Sequence, residues 1–169
     1  MKINPSKVRL DASTVCQLRC PTCKTTDGIT AKALGSQLLK FEDFKRLVDA
    51  NPWIHHFELS SQGESFLNRD MLKIIEYAVE KKVILSAAGG TNFNTVREEV
   101  LEGLVKYQFS YITCAIDGAS SETYKIYRRG GDFEKVMANI QKLNELKLKY
   151  RSQLPRLCWQ FVPFGHNEH

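Results

Sequence analysis

What this chain can fold into is limited first by an alternation. Short apolar runs take turns with stretches of helical periodicity along its 169 residues. Val8 to Ala12, Ile54 to Leu59, Val83 to Ala87, Tyr111 to Ile116 and Arg156 to Val162 predict five strands. Between them, Phe41, Phe44, Leu47 and Val48 recur at helical spacing, as do Met71, Ile74, Ile75 and Ala78. Thr95 with Glu98 reads as a capping box opening a helix through Val96, Val100 and Leu104. Asp132 reads as the cap of a helix carrying Phe133, Val136, Met137, Ile140 and Leu143. Strands this apolar belong in a parallel sheet covered by helices, so the class is α/β. The sheet can lie open and doubly wound, or curl into a barrel. A full eight-unit barrel takes about 250 residues, so five strands would make only part of one. No helix pattern follows the fifth strand. The chain therefore reads as a single domain over residues 1–169, incomplete at its C-terminal end and truncated after about five strands.

The composition, 43% hydrophobic and 25% charged, is that of a soluble globular protein. Met1 to Leu10 lacks the apolar core of a signal peptide, and no apolar run approaches the ~20 residues of a membrane span. The expectation is a cytoplasmic protein with no membrane partner. The net charge of +5 is spread out. Lys135, Lys142, Lys147 and Lys149 fall among apolar residues at helical spacing, which predicts a solvated helix face rather than a nucleic-acid surface. Trp53, Trp159 and Phe161 are expected in the core or an interface. Of His55 and His56, at least one is expected to point into packing.

Three of the five cysteines fall within eight residues, as Cys16-x3-Cys20-x2-Cys23, directly after the first strand. Clustered cysteines outside an oxidising compartment point to metal or redox chemistry. Structural zinc takes four ligands, usually as two pairs, and no second pair is present. Cys114 and Cys158 lie in apolar runs and read as small buried hydrophobes; His166 and His169 come late. Three closely spaced thiolates instead suit an iron–sulfur cluster, with one iron left open. Beyond the second strand, the carboxylate of Glu64 can accept hydrogen bonds from an ammonium group or cap the following helix. A non-catalytic metal-binding module that organises a partner surface is the alternative reading.

With Leu18, Arg19 and Pro21 between its cysteines, the motif resembles that of the radical S-adenosylmethionine enzymes. So do Gly63-Glu64 with Phe66-Leu67-Asn68, the run Ile116-Asp117-Gly118-Ala119-Ser120, and then Tyr124, Arg128, Gly131, Phe133 and Asn139. Together with the closing Asn167-Glu168-His169, they are similar to the branch that often carries a C-terminal auxiliary-cluster, or SPASM-type, domain. The resemblance implies a TIM-like (β/α) barrel core. Cys16, Cys20 and Cys23 would hold a 4Fe-4S cluster. S-adenosyl-L-methionine would chelate its open iron, and one electron would release a 5′-deoxyadenosyl radical that takes a hydrogen atom from a substrate. The substrate would be a peptide, a protein or a small molecule, and the electron would come from a reductant such as flavodoxin or ferredoxin. Gln62, Gly63, Glu64, Asp117 and Arg128 would bind the cofactor, with Thr91-Asn92 in the site wall. The chain departs from the family pattern at Gln62, Ser65, Phe93 and Ala115, where glycine, proline, glycine and serine are common.

Overall fold

The computed structural model describes residues 3–168; Met1, Lys2 and His169, including the last residue of the closing motif, lie outside them. The sheet contains β1 (Lys7–Arg9), β2 (His56–Glu58), β3 (Ile84–Thr91), β4 (Tyr111–Ala115) and β5 (Arg156–Gln160). Its order is β1-β2-β3-β4-β5, and every neighbouring pair is parallel. A doubly wound sheet reverses direction part-way through its strand order. This one never does, so crossovers of a single hand keep their helices on one face. The result is an arc of a β/α barrel, and the doubly wound alternative is discarded.

The helices are α1 (Ile29–Leu34), α2 (Phe41–Ala50), α3 (Met71–Glu80), α4 (Glu98–Lys106), α5 (Ser121–Tyr127) and α6 (Phe133–Lys149). Alternate strand residues, among them Phe57, Leu59, Leu85, Ala87, Ile112 and Cys114, join Phe44, Ile74, Leu104, Val136 and Leu143 of the helices in one core. Removing each such large side chain from water contributes about 1.5–3 kcal/mol. The other strand positions are largely polar, with His56, Glu58, Ser86 and Thr113 facing away from the helices. The strands are therefore apolar on one face only, where the sequence reads as nearly continuous apolar runs.

Several local expectations change. The α4 cap is Arg97, and Glu98 is the first helical residue, so the Thr95–Glu98 capping box does not form. Thr95 Oγ1 is buried without a partner. Asp132 does cap α6, its carboxylate accepting from Lys135 N at 3.2 Å. The sequence reading misses α1 and α5. The second of these opens on a capping box between Ser120 and Thr123, with threonine in the place where glutamate or glutamine is usual. Cys114 is buried, but Cys158 is exposed on β5. Trp53, Trp159 and Phe161 are also exposed and not in the core. His55 faces outward, while the half-buried His56 meets Ser86 Oγ through Nε2 at 2.6 Å. Lys142 and Lys149 are exposed and pair with Glu98 and Glu102 of α4, as a solvated helix face should. No described helix is long and apolar enough to cross a membrane.

Candidate active site

In a parallel β/α arc, the loops leaving the C-terminal ends of the strands meet at one rim. The loop after β1 carries the three cysteines and is tied across this rim in three places. Val15 O accepts from Glu64 N, beyond β2, at 2.8 Å. Gln17 Nε2 donates to Asn92 Oδ1, beyond β3, at 2.8 Å. Arg19 N donates to Arg129 O, beyond α5, at 2.9 Å. Close approach allows the first tie. Gly63 has φ 61°, and a Cβ there would lie 2.5 Å from Ser13 O and 2.7 Å from Val15 O. Glycine is thus required to seat one loop against the other, rather than to admit a ligand.

Cys16, Cys20 and Cys23 are unbridged and line one cavity of about 300 Å3. Its wall also includes Gln62, Gly63, Glu64, Thr91, Asn92 and Arg128. Three N–H donors face the sulfurs: Leu18 N to Cys16 Sγ at 3.4 Å, Asn92 Nδ2 to the same sulfur at 3.6 Å, and Arg128 Nη1 to Cys20 Sγ at 3.9 Å. Burial pushes the Cys16 thiol up to about 11, and it raises Cys20 as well despite the neighbouring Arg128 guanidinium, so both are thiols at neutral pH. Among the described residues, no three His, Cys, Asp or Glu side chains converge on a point where a single ion could sit. Three thiols spread around one cavity, with N–H groups turned toward two of them, fit a cluster better than a zinc ion.

The other expected cofactor residues divide. Gln62 is on the wall, its N donating to Asp11 Oδ1 at 2.7 Å and its Oε1 accepting from Thr30 Oγ1 at 3.0 Å. Glu64 also borders the cavity, yet its carboxylate is buried and accepts from Asn92 N at 2.7 Å and Phe66 N at 3.2 Å. It caps the Ser65–Leu67 turn and joins two rim loops, so the capping role fits its surroundings better than a bond to an ammonium group. Arg128 reaches the cavity, whereas the fully buried Asp117 stands behind it and is not on the wall. Asp117 Oδ2 accepts from Arg128 Nε and Nη2, both at 2.6 Å, and Oδ1 accepts from Val162 N at 2.9 Å.

Two contributors escape the sequence reading. Asp11 accepts from Ser61 N and Gln62 N and so fixes the loop after β2. Gln160, at the end of β5, completes the wall beside Gly90. Each is a polar residue inside an apolar run, and that mismatch is the signal that would have found them.

Burial raises the Glu64 pKa to about 7 against its two backbone hydrogen bonds. A carboxyl whose folded pKa lies above its unfolded value contributes stability below the unfolded pKa and loses it as pH rises through the folded one. Relative to Glu64→Gln, the wild-type chain should therefore lose about 3 kcal/mol between pH 4.5 and pH 7 and change little above that. Urea unfolding of both proteins at pH 5 and pH 8 checks this; a pH-independent difference would refute it.

A parallel arc whose rim gathers three thiols and a largely buried arginine around one cavity is a β/α enzyme scaffold. The chain belongs to the Radical SAM superfamily, whose family model matches residues 11–168. Among curated proteins it is 26% identical over 146 residues to the GTP 3′,8-cyclase of Desulforamulus reducens, covering 86% of this chain and 44% of that protein. Among solved structures, it resembles Streptococcus suis SuiB bound to S-adenosylmethionine, with a TM-score of 0.63, 14% identity, and coverage of 97% of this chain and 43% of SuiB. SuiB bound to its precursor peptide SuiA gives a TM-score of 0.66 at 16% identity, over 84% of this chain and 31% of that one. The chain thus spans less than half the length of these relatives, and the likeness to SuiB is one of fold.

Proposed function

We propose that this chain is the core of a radical S-adenosylmethionine enzyme, a single domain over residues 1–169. Cys16, Cys20 and Cys23 would hold a 4Fe-4S cluster, with S-adenosyl-L-methionine as the second cofactor. The observation that carries this reading is the shared cavity of the three thiols, closed by the rim loops of three strands. Membership of the superfamily supports it. When bound and reduced by one electron, the cluster and S-adenosyl-L-methionine supply a carbon-centred radical able to take a hydrogen atom from a substrate.

The chain's own residues bind, orient and shield. Asn92 holds the cysteine loop through Gln17 and faces Cys16. Gln62 and Gly63 present their backbone at the wall. The guanidinium of Arg128, oriented from behind by Asp117, offers its remaining N–H groups to Cys20 and to a cofactor carboxylate. The substrate is a small molecule, as the name of the cyclase suggests, or a peptide or protein, as with SuiB. A flavodoxin- or ferredoxin-like reductant supplies the electron.

Anaerobic reconstitution with iron and sulfide tests the reading. The expected product is brown, and its reduced-state EPR spectrum changes when S-adenosyl-L-methionine is added. A colourless protein retaining one zinc ion, or a spectrum indifferent to S-adenosyl-L-methionine, would refute it.

A further inference from the structure

The third strand is longer than its place in the sheet requires. Between Ala87, level with Ile112, and Thr91, level with Cys114, β3 spends four steps where β4 spends two. The surplus is a bulge, and a bulge leaves backbone groups without ladder partners. Here Ala88 N and Gly89 N donate instead to one side chain of the neighbouring strand, reaching Glu58 Oε1 at 2.7 and 3.3 Å. Thr113 secures the bulge from the β4 side, its Oγ1 donating to Ala88 O at 3.1 Å. Gly89 and Gly90, within the bulge, line the cysteine cavity.

The same carboxylate holds the loop after β2. Glu58 Oε1 also accepts from Ser60 Oγ at 2.7 Å and from Ser60 N at 3.2 Å, while Oε2 accepts from Ser86 Oγ at 2.5 Å. Ser60 Oγ in turn accepts from Gly89 N at 2.8 Å, so the bulge and the loop are also joined directly. They pack closely, since a Cβ at Gly89 would lie 1.8 Å from Ser60 O. Ser60 opens the run of residues 60–64 that lines the cysteine cavity. Glu58 itself is 4% exposed and does not line that cavity. Burial would raise its pKa, but the hydrogen bonds from Ser86, Ser60 and Ala88 outweigh burial and hold it below the usual carboxylate range. Hydrogen bonds to a charged acceptor are roughly twice as strong as neutral ones. One buried carboxylate therefore clamps two separate segments of the wall from behind.

We infer that Glu58 is a positioning residue for the cofactor: it fixes the β3 bulge against the loop after β2 and so sets the shape of the wall that residues 60–64 and 89–90 present to S-adenosyl-L-methionine. This rests on the function proposed above and deepens it, because affinity for the cofactor then depends on a side chain that never touches it. Cluster loading should survive the loss of Glu58. The cysteine loop is tied to Glu64, Asn92 and Arg129, none of which bonds to the Glu58 carboxylate.

The test uses the whole chain after anaerobic reconstitution, titrated with S-adenosyl-L-methionine by calorimetry, with iron and sulfide measured on the same samples. Groups that orient binding residues from behind are worth about 10–100-fold in affinity. Glu58→Ala is accordingly expected to weaken S-adenosyl-L-methionine by about tenfold or more, with iron content unchanged. Glu58→Gln keeps the shape and one acceptor oxygen and should recover part of that loss. Ser86→Ala removes only the donor to Oε2 and should cost less than Glu58→Ala. Leu143→Ala, in the core under α6, lowers stability away from the rim and should bind S-adenosyl-L-methionine like the wild type. Amide hydrogen exchange without cofactor should be faster at Ala88 and Gly89 in Glu58→Gln and unchanged at Ile112. Should Glu58→Ala fail to fold, Glu58→Gln and Ser86→Ala carry the comparison. Wild-type affinity in the Glu58 variants, an equal loss in Leu143→Ala, or unchanged exchange at Ala88 and Gly89 would overturn this inference alone. Loss of iron from Glu58→Gln would overturn it as well, since the cluster loop would then share the dependence. A wild-type protein that loads iron and ignores S-adenosyl-L-methionine overturns the enzyme reading and this inference with it.

Discussion

Cys20→Ala is expected to leave the protein essentially colourless after reconstitution, and Cys16→Ala and Cys23→Ala should do the same. Each change removes one of three thiolates from a cluster that has no fourth protein ligand in this motif, and a cluster held by two is not retained. About four irons per chain should fall close to zero, with the absorbance near ~400 nm and any S-adenosyl-L-methionine-dependent EPR signal lost together. Cys114→Ala is the control. Cys114 is buried in the sheet core, where burial pushes its thiol up to about 12. It does not line the cavity. Its loss should cost some stability and leave iron content intact. Iron counting on all four variants decides the assignment; bleaching by Cys114→Ala, with colour retained in Cys20→Ala, would sink it.

Asp117→Ala should be the most damaging substitution for the fold itself. Asp117 is fully buried and the Arg128 side chain is 16% exposed, so removing the carboxylate strands a nearly buried guanidinium. Breaking a buried pair from one side costs about 3–5 kcal/mol. The Val162 N–H also loses its acceptor, and the segment after β5 loses an anchor. Replacing both partners with apolar groups removes the stranded charge, so Asp117→Ala combined with Arg128→Met should recover much of the loss. Urea unfolding of the two variants and the wild type measures this directly. A single-variant loss under about 1 kcal/mol would show that the pair is solvated and does not organise the rim.

The order and class of the elements were legible because each strand carries enough apolar residues to reach the core, and each long helix repeats its own. The barrel arc was left undecided by periodicity, since doubly wound and barrel sheets share the same βα pattern; strand order separates them. The capping error at Thr95 has a local cause. The side chains of Asn92 and Asn94 engage the backbone there: Asn94 N donates to Asn92 Oδ1, and Asp132 N to Asn94 Oδ1. The chain is thus held outside the helix until Arg97. The cysteine motif could be read from spacing alone. The orientation of Glu64 and Asp117 could not, because a carboxylate at a strand end looks the same in sequence whether it faces a ligand or closes a backbone network. Cys158 and Trp159 misled for a related reason. Their apolar character predicts burial, whereas β5 is paired only with β4 in this sheet.

The three ties on the cysteine loop also set an order of events during synthesis. A chain emerges from its N-terminus and its early segments can begin to fold first. The thiols of Cys16, Cys20 and Cys23 are made before any of the loop's partners. Their partners come much later: Glu64, then Asn92, and last Arg129, whose carbonyl receives Arg19 N. Until Arg129 is in place, the loop is a tethered strand of reactive sulfur with one side loose. Iron delivered before that point meets a partly assembled cradle, and oxidants meet unprotected thiols. The geometry thus favours loading late, on a chain already folded through α5.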